Sequence, residues 1–505
     1  MRTGRWLAAI TLCFGARILF YATAYPLWEG FDEWAHFGVV RAIAFDGRLL
    51  VPRDARVPLD VFTSIQLAPT PPGLSYLPPE AVSHENFWTL PAEERRRREE
   101  AFRAIPREFA GRPSTIGAYE ALQPPVYYWL MAPALRAARG ASLATQVFLL
   151  RWLSILIAAL IVPLVFLVAR EAFADDHLAL GCAGVVALMP ELAIDVARVG
   201  NECVAVVLYT AATLFALRRK DGWAFGLVLG AGLLTKAYFL AALAGVALVV
   251  WAPRAFGVAI LVSGWWYARN LWTTGTLSGL SEAVALRAAP PFQVLAGAVQ
   301  LPWRKAVDSI LLSHLYFGGW SSLTARSWMY HLLYLVIAIA AAGALLLHKK
   351  REIRSLSILY AAFWIAQLYN VVLIYATKGI PTSMGWYLFA VIGAQSALAL
   401  SGLRRVLGRA AVWISAGLFA ALDLYGMHGL SLPYYAGLLQ RKATGGLAGL
   451  NWDGLDIREM FSRLAAFKPG FVTPGVLMGL WGIYLLSTVL LVAIAARLSR
   501  GVKRA

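Results

Sequence analysis

Apolar residues in this chain come in long runs, each close to the length of a bilayer crossing, and short polar or basic stretches separate them. A helix needs about 20 apolar residues to cross hydrocarbon. The runs predict spans at roughly 6–25, 147–169, 178–197, 201–217, 222–235, 237–252, 255–271, 329–347, 355–376, 384–402, 410–427 and 473–496. The expected fold is therefore an all-α polytopic membrane protein with about twelve transmembrane helices. Two stretches need a decision. Residues 125–138 are apolar but short and bounded by proline, and a crossing there would invert every later basic cluster. They are expected as an interfacial or re-entrant helix on the outer face. The stretch 222–252 is expected to split at Thr235-Lys236, because one unbroken span would bury a lysine mid-membrane. The split brings Lys236 to the face that carries Asp32.

Composition sharpens this picture. Hydrophobic residues make up 59% of the 505 and charged residues 15%, where a soluble domain carries about a quarter. Mean hydropathy is +0.63. The net charge of +18 gathers in short clusters between runs: Arg218 to Lys220, Lys349 to Arg354, Arg404 to Arg409, and Arg497 to Arg504. An inside N-terminus puts all of them on one side, which is the positive-inside pattern and needs no nucleic acid to explain it. Such a face also attracts anionic lipid headgroups. Residues 6–25 read as an uncleaved signal anchor, with Arg17 turned toward other helices. Cys13, Cys182 and Cys203 lie within or at the ends of apolar runs and suggest neither a disulfide framework nor a zinc site.

The outer face then receives the long segments 26–146, 272–328 and 428–472. Within the first, Glu93 to Glu100 is a mixed charge run that reads as a solvated helix without chemistry, and 69–79 is Pro-rich extended loop. No repeat or separate soluble domain is visible. The division expected is a transmembrane catalytic module over 1–427, followed by 428–505 with an outer loop, a last helix and a basic cytoplasmic tail.

Chemistry concentrates at the outer ends of helices. Asp32 and Glu33 follow the first span in Trp28-Glu29-Gly30-Phe31-Asp32-Glu33-Trp34-Ala35-His36-Phe37. Carboxylates near hydrocarbon and aromatic rings gain base strength when buried. Gln123 precedes Pro124-Pro125-Val126-Tyr127-Tyr128; Arg198, Asn201 and Glu202 occupy one turn; Lys236 follows Leu233-Leu234-Thr235; Arg269 and Asn270 follow Trp265-Trp266-Tyr267-Ala268. Taken singly, each is an ordinary anchor or helix terminator. Together they suit transfer from a lipid phosphate. A carboxylate takes the proton of an acceptor hydroxyl as it attacks an anomeric carbon, and cations such as Lys236 and Arg269 steady the departing phosphate. No GxGxxG or P-loop supports a nucleotide donor.

The order of acidic pair with histidine, Gln-Pro-Pro-x-Tyr-Tyr, Leu-Leu-Thr-Lys and Trp-Trp-Tyr-x-Arg-Asn resembles the GT-C fold of polyprenyl-phosphate-dependent glycosyltransferases. The likeness is strongest to the protein mannosyltransferase and aminoarabinose transferase relatives, and to bacterial membrane proteins with Pro-Asp-Glu-x-x-His-Phe at the start. It covers about residues 1–405. The resemblance implies Asp32 as catalytic base and Glu33 as a partner that binds acceptor or assists. It implies Lys236 and Arg269 near the donor phosphate; beside it, the polar set itself leads one to expect His36, Gln123, Tyr127, Tyr128, Asn201 and Asn270 lining the substrate cavity. Three departures stand out: Gly30-Phe31 and Trp34 replace a proline framing, Asn201-Glu202 stands for Asn-Asp, and Gly385-Trp386-Tyr387 stands for Gly-Arg-Tyr, removing a cation.

The reaction implied is inverting sugar transfer from a polyprenyl-phosphate-linked donor to a glycan, lipid or protein acceptor, outside the cytoplasmic membrane. Membrane lipid is a partner and nucleic acid is not. No cofactor is certain; some relatives hold a divalent metal, for which Glu33, His36 and His314 are candidate ligands without legible spacing. A transporter or flippase for a lipid-linked glycan, and a non-catalytic assembly partner, stay open beside this reading.

Overall fold

A computed structural model describes residues 2–50, 55–74, 78, 80–442, 446–449 and 456–500. Every expected span has a helix at its place, as backbone in hydrocarbon demands when no water is there to bond it. The number fit to cross is where the structure differs. Among the described residues, seven helices are long and apolar enough for the bilayer, or eight if a bent pair counts as one span. The runs at 201–217, 222–235 and 237–252 become Glu202–Leu217, Trp223–Leu233 and Phe239–Val249, of 16, 11 and 11 residues. At 1.5 Å per residue they reach about 16–24 Å, short of the ~30 Å core. Polar residues at their outer ends leave the helix early and shorten it.

The bent pair is Asp176–Leu188 with Pro190–Val196, kinked by 67°. Asp175 caps its start by accepting from His177 N (2.9 Å) and Leu178 N (3.0 Å). Pro190 has no N–H to continue the ladder, so the chain turns there. The kink frees the carbonyl of Ala187, and Arg17 donates to it. Arg17 is fully buried and also pairs with Asp423 at 2.7 Å, so it faces other helices as expected. Tyr21 and Tyr484 donate to the two oxygens of the same carboxylate (2.6 and 2.5 Å). These contacts compensate a buried charge that a lone arginine would carry unpaired.

The break at Thr235-Lys236 is present. The backbone N–H groups of Thr235 and Lys236 both bond Gly232 O (2.8 and 2.9 Å), and the Phe239 ring folds over Gly232, where an added Cβ would meet it at 2.0 Å. The expected interfacial segment is the helix Val126–Ala137, tied to this break by Val126 N to Leu234 O (2.9 Å). Ala92–Arg103 is the mixed-charge helix, with Arg97 and Arg98 each 2.8 Å from Glu94.

Among the described residues the chain is all-α apart from two short ladders in the first outer loop. Arg56–Pro58 pairs antiparallel with Pro113–Gly117, and Pro69–Thr70 pairs parallel with Val82–Ser83. Prolines bar a helix in these stretches of the first outer loop, and short ladders take up the backbone instead. Residues 75–77 and 79 of the Pro-rich stretch lie outside the described residues, as do Lys503 and Arg504.

Ion pairs mark one end of the bundle. Arg404 meets Asp175 (2.6 Å), Arg218 meets Glu171 (2.8 Å), and Thr3 donates to Asp176 (3.0 Å). The guanidinium of Arg497 lies over the Trp6 ring (5.9 Å). The start of the first helix, the end of the last, and Arg218 and Arg404 therefore share that end, opposite Asp32 and Lys236. The last helix, Pro474–Arg500, packs on the first, Arg2–Ala24, and on Ala410–Leu424. Ala410–Leu424 continues through a π-helical turn, Tyr425–Ser431, into Leu432–Tyr435.

Candidate active site

Asp32 ends the loop after the first helix and caps Glu33–Asp46 in a left-handed conformation, φ 57° and ψ 17°. Non-glycine residues rarely sit there, and such positions concentrate at functional sites. The turn sends the two neighbouring carboxylates in different directions. Glu33 is fully buried. Its Oε1 accepts from Arg151 Nε (2.7 Å) and Val199 N (3.0 Å), and its Oε2 from Arg151 Nη2 (2.5 Å) and Trp28 N (3.1 Å). Arg151 spends its remaining donors on the carbonyls of Ala22 (3.0 Å), Tyr25 (2.9 Å) and Pro26 (2.7 Å). Glu33 thus clamps the end of the first helix, and both its oxygens are already bonded.

Asp32 is only partly buried. The Tyr119 hydroxyl donates to its Oδ1. Burial lifts its carboxyl above the ordinary value, against the pull of that hydrogen bond and of Arg198 and Lys236, with Glu202 adding to the lift. The preceding Phe31 is locked in place: its ring stacks on Trp386 at 3.6 Å and 13°, and Trp320 meets it edge-on at 5.5 Å. Trp386 is thus the platform beneath Phe31. Arg198 donates to Phe31 O and, at 2.8 Å, to Asp195. Gly30 and Gly200 allow this approach; an added Cβ would lie 2.6 Å from Arg198 Cβ and 2.4 Å from its Nη1.

Around Asp32 the structure assembles most of the polar set. Lys236 pairs with Glu202 and lies 4.7 Å over the Tyr387 ring. Tyr238 donates to the other oxygen of Glu202 (3.1 Å). Asn201 Nδ2 donates to Thr235 O (3.1 Å) and, at 3.5 Å, to Gln123, which binds three segments together. Tyr127 accepts from Gly200 N (3.0 Å) and meets Ser154 (3.2 Å). Tyr128 bonds His36 Nδ1 (2.9 Å). Burial, then Arg198 and Lys236, push His36 well below its usual value, so it stays neutral near pH 7.

Two expected members stand apart. Arg269 donates to Leu50 O (3.1 Å) and stacks over Trp266 (4.9 Å). Asn270 donates to Leu277 O (3.3 Å) and Ser278 O (3.4 Å), holding the loop that follows its helix. Neither has a described contact with Asp32 or Lys236. The metal candidates are dispersed as well. Glu33 is engaged with Arg151, His36 with Tyr128, and His314 between Gly385 O (3.1 Å) and Gln395 (2.6 Å). Among the described residues no group of three metal-ligating side chains forms.

Sequence reasoning passed over Tyr119, Glu120 and Arg151. Glu120 sits 3.7 Å from His36 Nδ1 with 7% of its surface exposed. A pair such as Tyr119-Glu120, three residues ahead of Gln123-Pro124-Pro125, reads as loop polarity until the fold buries it.

No family model matches the chain, and no curated protein matches it in sequence. Among solved structures it is similar to the crystal structure of ArnT from Cupriavidus metallidurans bound to undecaprenyl phosphate: 14% identity over 98% of this chain and 77% of that one, TM-score 0.43. It is also similar to the Archaeoglobus fulgidus oligosaccharyltransferase tethered to an acceptor peptide with the NVT sequon. Identity there is 14% over 86% of this chain and 57% of that one, with a TM-score of 0.33.

Proposed function

We propose that this chain is a membrane glycosyltransferase of GT-C type, moving a sugar from a polyprenyl-phosphate carrier to an acceptor hydroxyl on the outer face of the cytoplasmic membrane, with inversion. The observation that carries the reading is Asp32: a partly exposed carboxyl with raised basicity, held in a left-handed turn beside Arg198 and Lys236. The acceptor oxygen attacks the anomeric carbon while Asp32 takes its proton, and the bond from that carbon to the phosphate oxygen breaks. Arg198 and Lys236 counter the charge left on the phosphate, exchanging part of their pairing with Asp195 and Glu202 for it. Tyr119 aims the Asp32 carboxylate. The acceptor is a glycan, lipid or protein reached from the outer side.

Transfer from a radiolabelled polyprenyl-phosphate sugar in membranes, comparing wild type with Asp32→Asn at equal expression, tests this. A general base accounts for about 10²–10⁴-fold in rate, so a loss of a hundredfold or more is expected. Equal transfer in both would remove Asp32 from the chemistry. Absence of transfer in either would turn the site toward transport of a lipid-linked glycan, or toward an assembly role.

A further inference from the structure

Glu120 has no part in the proton transfer above, yet it is buried in the same cluster. It lies on the short helical turn Tyr119–Leu122, just before the Gln-Pro-Pro segment. Its Oε2 has no hydrogen-bond partner among the described residues and is out of bonding range of His36, at 3.7 Å. The charged and titratable groups facing it are Asp32 and His36 from the helix Glu33–Asp46 and its cap, Tyr128 from the interfacial helix, Arg198, Lys236, and Tyr387. A buried carboxylate with an orphaned oxygen is costly, and a neutral acid in the same place much less so.

The surroundings raise the stakes of that proton. Asp32, Glu120, Asp195 and Glu202 stand against Arg198 and Lys236, and each cation already has a carboxylate partner. A phosphate entering here meets more acids than bases. Every further negative charge competes with it for the same two cations.

We propose that Glu120 is the residue that sets the charge state of the donor subsite: protonated, it lets Arg198 and Lys236 exchange part of their pairing with Asp195 and Glu202 for a phosphodiester anion, and ionised, it competes with that anion. The proposal rests on the phosphate-donor reading and deepens it. Burial, with Asp32 as the second cause, pushes Glu120 up to about 8, so the neutral form prevails at neutral pH. The sign follows. Phosphodiester binding is retained below that value and lost as pH rises through it, because the bound state keeps a proton that the free site gives up.

The test is binding of farnesyl methyl phosphate, a phosphodiester whose own charge stays fixed between about pH 6.5 and 9.5, followed by tryptophan fluorescence of the detergent-solubilised protein. Wild type should lose affinity toward high pH by up to about tenfold per unit, the slope of one linked proton. Glu120→Gln, neutral at every pH, should bind with a flat profile. Asp32→Asn serves as the second variant: it removes the like charge, so its loss should begin at lower pH than in wild type. Flat binding in wild type, or a wild-type slope retained in Glu120→Gln, overturns the role of Glu120 while leaving the donor reading standing. No binding at any pH in wild type overturns the donor reading and this inference with it.

Discussion

Asp32 and Glu33 are adjacent in the chain and opposite in character, and one backbone angle separates them. The left-handed turn at Asp32 points its carboxyl toward Tyr119, while Glu33 is drawn into Arg151. Sequence alone treats them as a pair, because their shared neighbours fix composition and not direction. Breaking a buried ion pair by removing one partner costs about 3–5 kcal/mol. Arg151→Met should therefore lower the melting temperature in detergent and reduce the folded yield, with activity per folded molecule far less affected than in Asp32→Asn. A variant with normal stability and abolished transfer would instead bring Glu33 and Arg151 into the chemistry. Lys236 was legible at this scale, since a lysine in an apolar run forces a break. Glu120 was not, because nothing local distinguishes a loop carboxyl that will be buried from one that will stay wet.

Helix contacts are where small residues reveal their purpose. Ser327–Leu345 and Ile392–Leu407 cross at Gly343 and Gly402, where a Cβ on Gly402 would lie 2.0 Å from Ala340 O and 2.8 Å from Ala344 N. Small residues let membrane helices touch backbone to backbone, and lipid supplies no hydrophobic drive to replace that contact. Gly402→Val should separate the pair and abolish stable purification, whereas Gly15→Ala, with nothing within 4 Å of its added Cβ, should melt like wild type. Equal melting of both variants would show that the crossing tolerates spreading. The Pro190 kink belongs to the same scale. Proline marks a break in the sequence, but the 67° turn and the arginine that satisfies the freed carbonyl come from packing.

For the whole molecule, sidedness ties the site to its substrates. Cys13, Cys182 and Cys203 are all buried, so single cysteines added at exposed positions report cleanly. Cysteine at Arg97 should react with a membrane-impermeant thiol reagent on intact cells, and cysteine at Arg219 or Lys350 only after permeabilisation. The reverse labelling would place the Asp32 cavity in the cytoplasm and remove a periplasmic acceptor from the reading. The basis is the positive-inside rule, joined to the ion pairs that gather Asp175, Arg218 and Arg404 at one end.

The sequence by itself determined that this is a helical membrane protein, where its apolar runs lie, which end gathers the basic clusters, and that Asp32, His36, Asn201 and Lys236 belong to one face. Those properties follow from local hydrophobicity and charge, which a bilayer reads directly. Only the tertiary structure decided that Glu33 clamps a helix, that Arg269 and Asn270 stand apart, that Trp386 underlies Phe31, and that Glu120 joins the cluster. Each depends on segments that meet from far along the chain, and on burial that strips water from one carboxyl and leaves it on its neighbour. A side chain's direction and its desolvation are properties of the packed bundle, and no window of residues carries them.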